Sequence, residues 1–566
     1  MNATGPDRRR WMGLAILLTA AFMDLLDGNI VNVAAATIQQ DLGATYADIQ
    51  WIIAGYILAC STTLITGGRM GDIFGRRKMF LIGTAGFTTA SLLCALARNP
   101  EMLIGARVLQ GGMSALMLPQ VLAIIHLTFD RQQLGKVVGL YACIAGTAIV
   151  GGPVAGGLLL NWNPLGLEWR SIFVLNLPVG MAALAAAPFT IDESRTPHPL
   201  RLDLIGAFLV TLGLLLLLYP LSQGRELGWP TWSIASMIAS VPLFALFAAY
   251  ERRRTRKDDS PLIVFSLFRV RGYTTGLLVQ SLCPCVITAF FLTWTLYLQL
   301  GLGWSPLHTG LTTIPFSAGA SIAGGLSMYL VFPRFGRNSL LAGAGMMITG
   351  LMIYSWLAGQ YGTQITSWEM TAPLLLIGVG LGQLIVPVTV LTLADVPPQH
   401  AGAASGVINT TSQLGSALGI ALIGVIFFTA IGQETPQSAD RAVPRIRQAL
   451  SAATELSPSA REEILKGFRA CTIGQATAHD PLSTPPDCHR NSKENTITPS
   501  TRQFLDAAAA RAHRESFVRS FQQSLWYILA TLIAILALLF TMPKRLIPAD
   551  LKPRRNPRPD TPRRRH

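Results

Sequence analysis

The sequence predicts an all-α integral membrane protein of about fourteen transmembrane helices, and three observations predict it. Hydrophobic residues fill 51% of the 566 positions while charged residues fill only 13%, about half the charged share of a soluble domain. Apolar runs of about 20 residues, each enough to cross a bilayer core, recur along the whole length. Lysine and arginine gather on alternate connections between those runs, the pattern that fixes orientation in a membrane.

The runs fall at 11–35, 47–67, 79–97, 102–125, 134–160, 170–190, 203–222, 232–250, 272–300, 308–332, 339–358, 370–394, 404–431 and 521–542. Glycine and proline are frequent inside them, as spanning helices tolerate. The first run follows three arginines and ends in Val33-Ala34-Ala35-Ala36. That imitates a secretory signal, but the run is too long and carries two acids. With the N-terminus in the cytoplasm, Arg8–Arg10, the turn at 75–78, the basic stretch at 251–257, the turn at 334–337 and the basic tail 543–566 all lie inside. The short outer loops hold Arg98, Arg170 and Arg225. The net charge of +15 is therefore a topology signal, and no soluble basic domain exists for a nucleic acid to bind. Membrane lipid remains a partner for the tail.

One outer segment is long. Residues 432–520 translocate regardless of their charge. The part rich in Ser, Thr and Pro at 480–500 reads as irregular, and 502–521 as an amphipathic helix leading into the last span,. Cys60, Cys94, Cys143, Cys283 and Cys285 lie within spans and read as small packing residues,. Cys471 and Cys488 lie in the outer segment and are a candidate disulfide if that side is oxidising.

Two landmarks repeat. Gly68–Lys78 ("GRMGDIFGRRK") joins the second and third runs, and Phe332–Asn338 ("FPRFGRN") joins the tenth and eleventh. Each contains Phe-Gly-Arg one hairpin into a half. The chain thus divides into a six-helix half at 1–190, an inserted helix pair with linkers at 191–260, and a second six-helix half at 261–542 that includes the loop 432–520. The basic tail follows at 543–566. Internal repeats of this type mark secondary transporters, with the substrate path between the halves. No phosphate-binding G-x-x-x-x-G-K-[ST], nucleophile elbow or zinc-ligand helix occurs,. The expectation is a transporter, not an enzyme, without cofactor, metal or catalytic residues, driven by an ion gradient or by the substrate's own.

Asp24 and Asp27 stand inside the first run, where an ionised carboxylate costs about 2.5–3.5 kcal/mol on insertion scales. Three residues apart, they share a helix face, and Asn29 and Asn32 continue a polar stripe that must face the bundle or a wet cavity. A rise of about 1.5 Å per residue places Asp27 roughly 24 Å from the cytoplasmic surface and Arg107, on the oppositely directed fourth span, about 21 Å. Asp27 is the candidate proton carrier, Arg107 its partner and Asp24 an accessory; a buried ion pair that only orients two helices is the other reading. The neutral polar and aromatic residues of the later spans suit an amphipathic, apolar-to-cationic molecule better than a sugar. Asn32, Gln110, Tyr141, Gln280, Trp294 and Asn409 are candidate cavity residues.

Gly68, Asp72, Gly75, Arg76, Arg77 and Lys78 resemble the signature loop of the major facilitator superfamily. "ARVLQGG" (106–112) is similar to its fourth-span motif, and "GGPVAGG" (151–157) to the Gly-Pro motif of antiporters. Gly139 matches that motif upstream, while Ala148 stands where it has glycine. "LDGNIVNVA" (26–34), "WRSIFVLNLPVG" (169–180), "LGWSPLHTG" (302–310) and "AGAASGVINTTSQLGSALG" (401–419) resemble the fourteen-span drug:proton antiporters. The resemblance implies a major facilitator fold and proton-driven export of hydrophobic or amphipathic drugs. It implies a gating loop at 68–78 and a sealing helix carrying Gly139, Gly152, Pro153, Gly156 and Gly157. Export of a native metabolite, lipid-like compound or siderophore, and a non-transporting sensor, are the other readings. An envelope-spanning adaptor is a partner only if the host has an outer membrane.

Overall fold

The computed structural model describes residues 6–163, 166–195, 203–224, 227–258, 263, 265–394, 396–397, 401–452, 457–477 and 499–542. Among them there is no strand. The helices of the first half are α1 (Pro6–Leu42), α2 (Tyr46–Phe74), α3 (Arg76–Ala95), α4 (Pro100–Thr128), α5 (Arg131–Trp162) and α6 (Asn176–Thr190). An inserted pair follows, α7 (Leu204–Gln223) and α8 (Thr231–Asp258). Then come α9 (Arg271–Leu296), α10 (Ile314–Leu326), α11 (Arg337–Tyr361), α12 (Ser367–Ala394), α13 (Ala401–Ala452), α14 (Pro458–Thr477) and α15 (Pro499–Thr541).

Local chemistry sets the helix starts. Thr45 and Asp48 form a reciprocal capping box at α2, satisfying two otherwise orphaned backbone N–H groups. Asn99 accepts from the Met102 N–H at 2.8 Å to cap α4, with Pro100 in the first turn, where its missing N–H costs nothing.

Twelve helices among the described residues are long and apolar enough to span a membrane. The two other expected spans are helical as well. Run 134–160 lies in α5, whereas run 308–332 is broken. It becomes Pro306–Thr312, then α10, then a π turn at Ser327–Val331. Pro315 and the glycines of "SAGASIAGG" weaken a single continuous helix there.

The two halves repeat one plan. In each, a glycine of positive φ ends a helix hairpin: Gly75 at 107° between α2 and α3, Gly336 at 52° before α11. In each, an arginine one or two positions after the glycine reaches the end of the half's last helix. Arg77 Nη1 donates to the Ile191 carbonyl at 3.2 Å, and Arg337 Nη1 donates to those of Phe540 and Met542 at 3.1 and 3.0 Å. Cations suit the negative end of a helix dipole, so Arg77 and Arg337 tie the middle of each half to its end, while Arg76, the arginine of the first Phe-Gly-Arg, pairs with Asp72.

The segment 432–520 differs from the expected loop. α13 runs unbroken for 52 residues, about 78 Å, more than twice a bilayer core. Ala439, Ile446 and Leu450 of this extension pack on Ile464, Leu465 and Phe468 of α14 and on Leu505, Ala508 and Ala509 of α15. Apolar residues at helical spacing thus give the projecting trio its own core, whereas polarity alone suggested a loop. The expected amphipathic helix at 502–521 is the first part of α15. Cys471 lies on α14 and is disulfide-bonded; its expected partner Cys488, like tail 543–566, lies outside the described residues.

Candidate functional site

Asp27 of α1 and Arg107 of α4 lie side by side. Arg107 Nη1 lies 2.5 Å from Asp27 Oδ2, and both side chains are almost fully buried. The other carboxylate oxygen accepts from Asn176 Nδ2 at 2.6 Å. Arg107 also donates to Gln110 Oε1 at 2.6 Å and to the Ile52 carbonyl at 3.2 Å, and Gln110 Nε2 donates to Ser91 Oγ at 2.8 Å. Five helices, α1, α2, α3, α4 and α6, therefore converge on one carboxylate–guanidinium network. In a low-dielectric interior such a pair survives only if its remaining donors and acceptors are satisfied, and these contacts do that.

Asn176 was not singled out from sequence, since a lone amide in an apolar run carries no charge to mark it. Its position is set by the segment before it. Trp169 Nε1 and Arg170 Nη1 donate to Asp41 Oδ2 at 2.9 and 2.7 Å, which pins the start of Ser171–Asn176 to the far end of α1. The indole N–H, and then the guanidinium, hold the Asp41 carboxyl below its usual range. One element thus fixes both ends of the contact between α1 and α6.

Asp24 sits in a separate shell. Tyr56 Oη donates to Asp24 Oδ1 at 2.8 Å, and buried Ser114, paired with Cys60 Sγ at 3.5 Å, lies nearby. The Tyr56 ring meanwhile lies under the Arg107 guanidinium, 4.2 Å from its carbon to the ring centroid. Tyr56 joins the two acidic centres, a link no sequence motif announced.

In the loop at 68–78, Asp72 is fully buried and accepts from Arg76 Nη2 at 2.6 Å, with Arg69 Nη1 3.9 Å away. Gly68 is buried in α2. Glu193, just past α6, accepts from the backbone N–H groups of Arg77 and Lys78, each at 3.1 Å, and so caps α3; Lys78 itself is exposed. A Cβ at Gly75 would stand 2.6 Å from that carboxylate, which together with the positive φ leaves glycine as the fitting residue.

α5 is packed by its small residues at two places. A Cβ on Gly152 would fall 2.9 Å from Asn29 Cβ and 3.3 Å from the Ile30 nitrogen, and Gly156 likewise abuts Ile30. Gly139 faces Gly324 and Gly325 of the second half, with 3.1 Å between its would-be Cβ and the Gly324 carbonyl. Gly157 is half-buried, and α5 continues through position 153, whose side chain, like that of Asn32, lies outside the description.

The expected cavity residues do not form one wall. Gln110 belongs to the ion-pair network. Trp294 is 1% exposed; its indole donates to Tyr354 Oη at 2.8 Å and stacks with Phe290. An aromatic cluster between α9 and α11 takes it in. Gln280 donates to Thr389 Oγ1, Asn409 bonds back to the Ser405 carbonyl, and Tyr141 is half-buried. A polar cleft of about 780 Å³, lined in part by Tyr361, Glu434, Arg519 and Trp526, lies at the base of the projecting trio and includes none of these six.

The model of the Major Facilitator Superfamily matches residues 17–420. The probable actinorhodin transporter of Streptomyces coelicolor is 38% identical over 96% of this chain and 94% of its own length. Puromycin resistance protein pur8 of Streptomyces alboniger is 35% identical over 75% of this chain and 82% of its own. Among solved structures, the human organic anion transporter MFSD10 superposes with a TM-score of 0.52 at 14% identity, over 74% of this chain and 93% of that one, a likeness of fold.

Proposed function

The chain belongs to the major facilitator superfamily, and from that premise we propose that it is a proton-coupled exporter of hydrophobic or amphipathic, often cationic, drugs or antibiotics. It works across the cytoplasmic membrane with both termini in the cytoplasm, as the distribution of Arg and Lys favours. The names of its relatives, an actinorhodin transporter and a puromycin resistance protein among them, support the substrate class. The observation that carries the proton step is the buried Asp27–Arg107 pair.

In the ion-paired state Arg107 stabilises the charged Asp27 carboxylate. Protonation of Asp27 releases that attraction, and Arg107 keeps Gln110, the Ile52 carbonyl and the Tyr56 ring as partners. α1 and α4 are then free to take a second arrangement. Proton and substrate bias the two arrangements in opposite senses, which is all that exchange requires. Asp24 serves as a second polar station, one turn away on α1 and linked through Tyr56.

The test is accumulation of a fluorescent cationic dye in a pump-deficient host, with and without the protein and a protonophore. The proposal expects lower accumulation with the protein and loss of that difference on adding the protonophore. Equal accumulation across a panel of dyes and antibiotics, with the protein present in the membrane, contradicts drug export. The kinship with a named actinorhodin transporter favours including actinorhodin in the panel, the native-metabolite reading.

A further inference from the structure

The inserted pair α7–α8 is not a passive addition between the halves. It packs in one apolar cluster with both: Ala54, Leu58 and Ile65 of α2 meet Val210, Leu214 and Leu218 of α7 and Phe247 of α8, and Leu414 and Ala417 of α13 join from the second half. Away from the Gly75 face the pair is fastened to α2 by a stack of Trp51 on Tyr219, 5.3 Å between ring centroids, continued by Trp232. Midway, Thr211 Oγ1 donates to the Thr62 carbonyl at 3.2 Å.

At the Gly75 face charged side chains are buried where the pair packs on α2. Asp72 lies between two guanidiniums, Arg76 and Arg69, so the loop taken alone carries one buried positive charge too many. An unbalanced buried charge is strongly destabilising. The inserted pair supplies the balance. Arg69, 1% exposed, makes no hydrogen bond among the described residues, and the charges around it are Asp72, Glu251, Arg254 and Asp203. Glu251 and Asp203 are 0% and 1% exposed. They converge at Gly206, where a Cβ would lie 2.5 Å from Glu251 Oε1 and 2.6 Å from Asp203 Oδ2. Arg254 stands 3.5 Å from Asp203 Oδ2, and Tyr250 Oη donates to Asp203 Oδ1 at 3.1 Å. Three carboxylates and three guanidiniums thus gather on the two sides of the boundary between α2 and the insert, paired within each side as Asp72 with Arg76 and Asp203 with Arg254.

We propose that Asp203 and Glu251 are positioning residues of the gating loop, holding Arg69 so that Asp72 is left to Arg76, and that α7–α8 moves with α2 as part of the gate. The physical consequence is a division of labour. α7 is tied to α2 by a hydrogen bond, ring stacking and apolar packing beside buried charge, but meets α13 through Leu414 and Ala417, apolar contacts that can slide. When the halves rock, the insert stays with the first half, and its acids keep Arg69 from competing for Asp72.

This rests on the exporter reading, and the experiment separates the two. Asp203→Asn, Glu251→Gln and the double variant are compared with the wild type for efflux per molecule in the membrane, and for hydrogen–deuterium exchange of the purified proteins at residues 68–76. The proposal expects the double variant to lose about tenfold in maximal rate with the half-saturating substrate concentration unchanged, and to exchange faster at 68–76. Glu251→Asp should restore most of the rate. Asp72→Asn, itself slow, should not be slowed further by the double substitution, since both act on one device. A double variant with normal maximal rate and unaltered exchange overturns the proposal, as does a loss that only tracks the amount of folded protein. Absence of efflux in the wild type would count against the exporter reading alone, because the exchange comparison still decides the role of the insert.

Discussion

Asn176 carries the sharpest consequence at the scale of single residues. It donates to the Asp27 oxygen that Arg107 leaves free, and to Ser91 Oγ at 3.2 Å. A hydrogen bond to a charged group contributes about 1.5–3 kcal/mol. Asn176→Ala should therefore slow proton-driven efflux by roughly tenfold or more with membrane insertion intact, measured as initial efflux rates against a set pH gradient. Efflux at the wild-type rate would make this amide a packing residue. Asp27 and Arg107 were legible in the sequence because a charge in an apolar run must be compensated, and helix rise fixes the level at which the partner stands. Asn176, Ser91 and Tyr56 were not, since neutral polar residues occur in spanning helices without such need. Glu193, Asp203 and Glu251 sit at the ends of runs, where an acid reads as solvated; only the packing of α7–α8 on α2 and the fold-back after α6 bury or engage them.

At the scale of elements, the small residues of α5 decide how closely it approaches α1. With Asn29 Cβ 2.9 Å from a would-be Cβ on Gly152, Gly152→Leu cannot fit without moving α5 off the helix that carries Asp27. Overpacking of this kind costs about 1–3 kcal/mol. The expected result is a lower melting temperature in detergent and a proton leak or lost efflux, whereas Gly139→Ala, which faces the other half, should disturb transport more than stability. Equal melting temperatures for Gly152→Leu and wild type would contradict the contact. The fourteen runs read as helices in the sequence, because apolar length is sufficient for that. The break at α10 and the long rod α13 were missed, whereas the helix leading into the last span, the first part of α15, was read. Pro315 and its neighbouring glycines act only in the context of helix packing, and the rod depends on contacts among α13, α14 and α15 that hydropathy does not register.

At the scale of the molecule, the halves meet near the Gly75 and Gly336 turns. Gly139 touches Gly324, Ser405 Oγ donates to the Pro119 carbonyl at 3.0 Å, and a Cβ on Gly406 would sit 3.1 Å from Ile65 Cα. These contacts close that face. An Ile65→Cys/Gly406→Cys pair should cross-link under oxidation, stop efflux, and recover it on reduction; cross-linking without effect on efflux would mean that this seam does not open in the cycle. The two-half plan was visible in the sequence only as Phe-Gly-Arg twice. Its geometric meaning, an arginine from each hairpin capping the last helix of its own half, depends on contacts between residues more than a hundred positions apart.

The central claim is that Asp27 carries the proton whose movement is exchanged for drug. The direct measurement is proton flux in sealed proteoliposomes on adding a cationic drug, read with an internal pH dye, for wild type and for Asp27→Asn. Drug binding to each purified protein is measured alongside. The account predicts drug-dependent proton movement in the wild type, and none in Asp27→Asn, which keeps the amide acceptor for Arg107 and still binds drug. Drug-dependent proton flux of wild-type size in Asp27→Asn would contradict it and leave the buried pair a strut between α1 and α4.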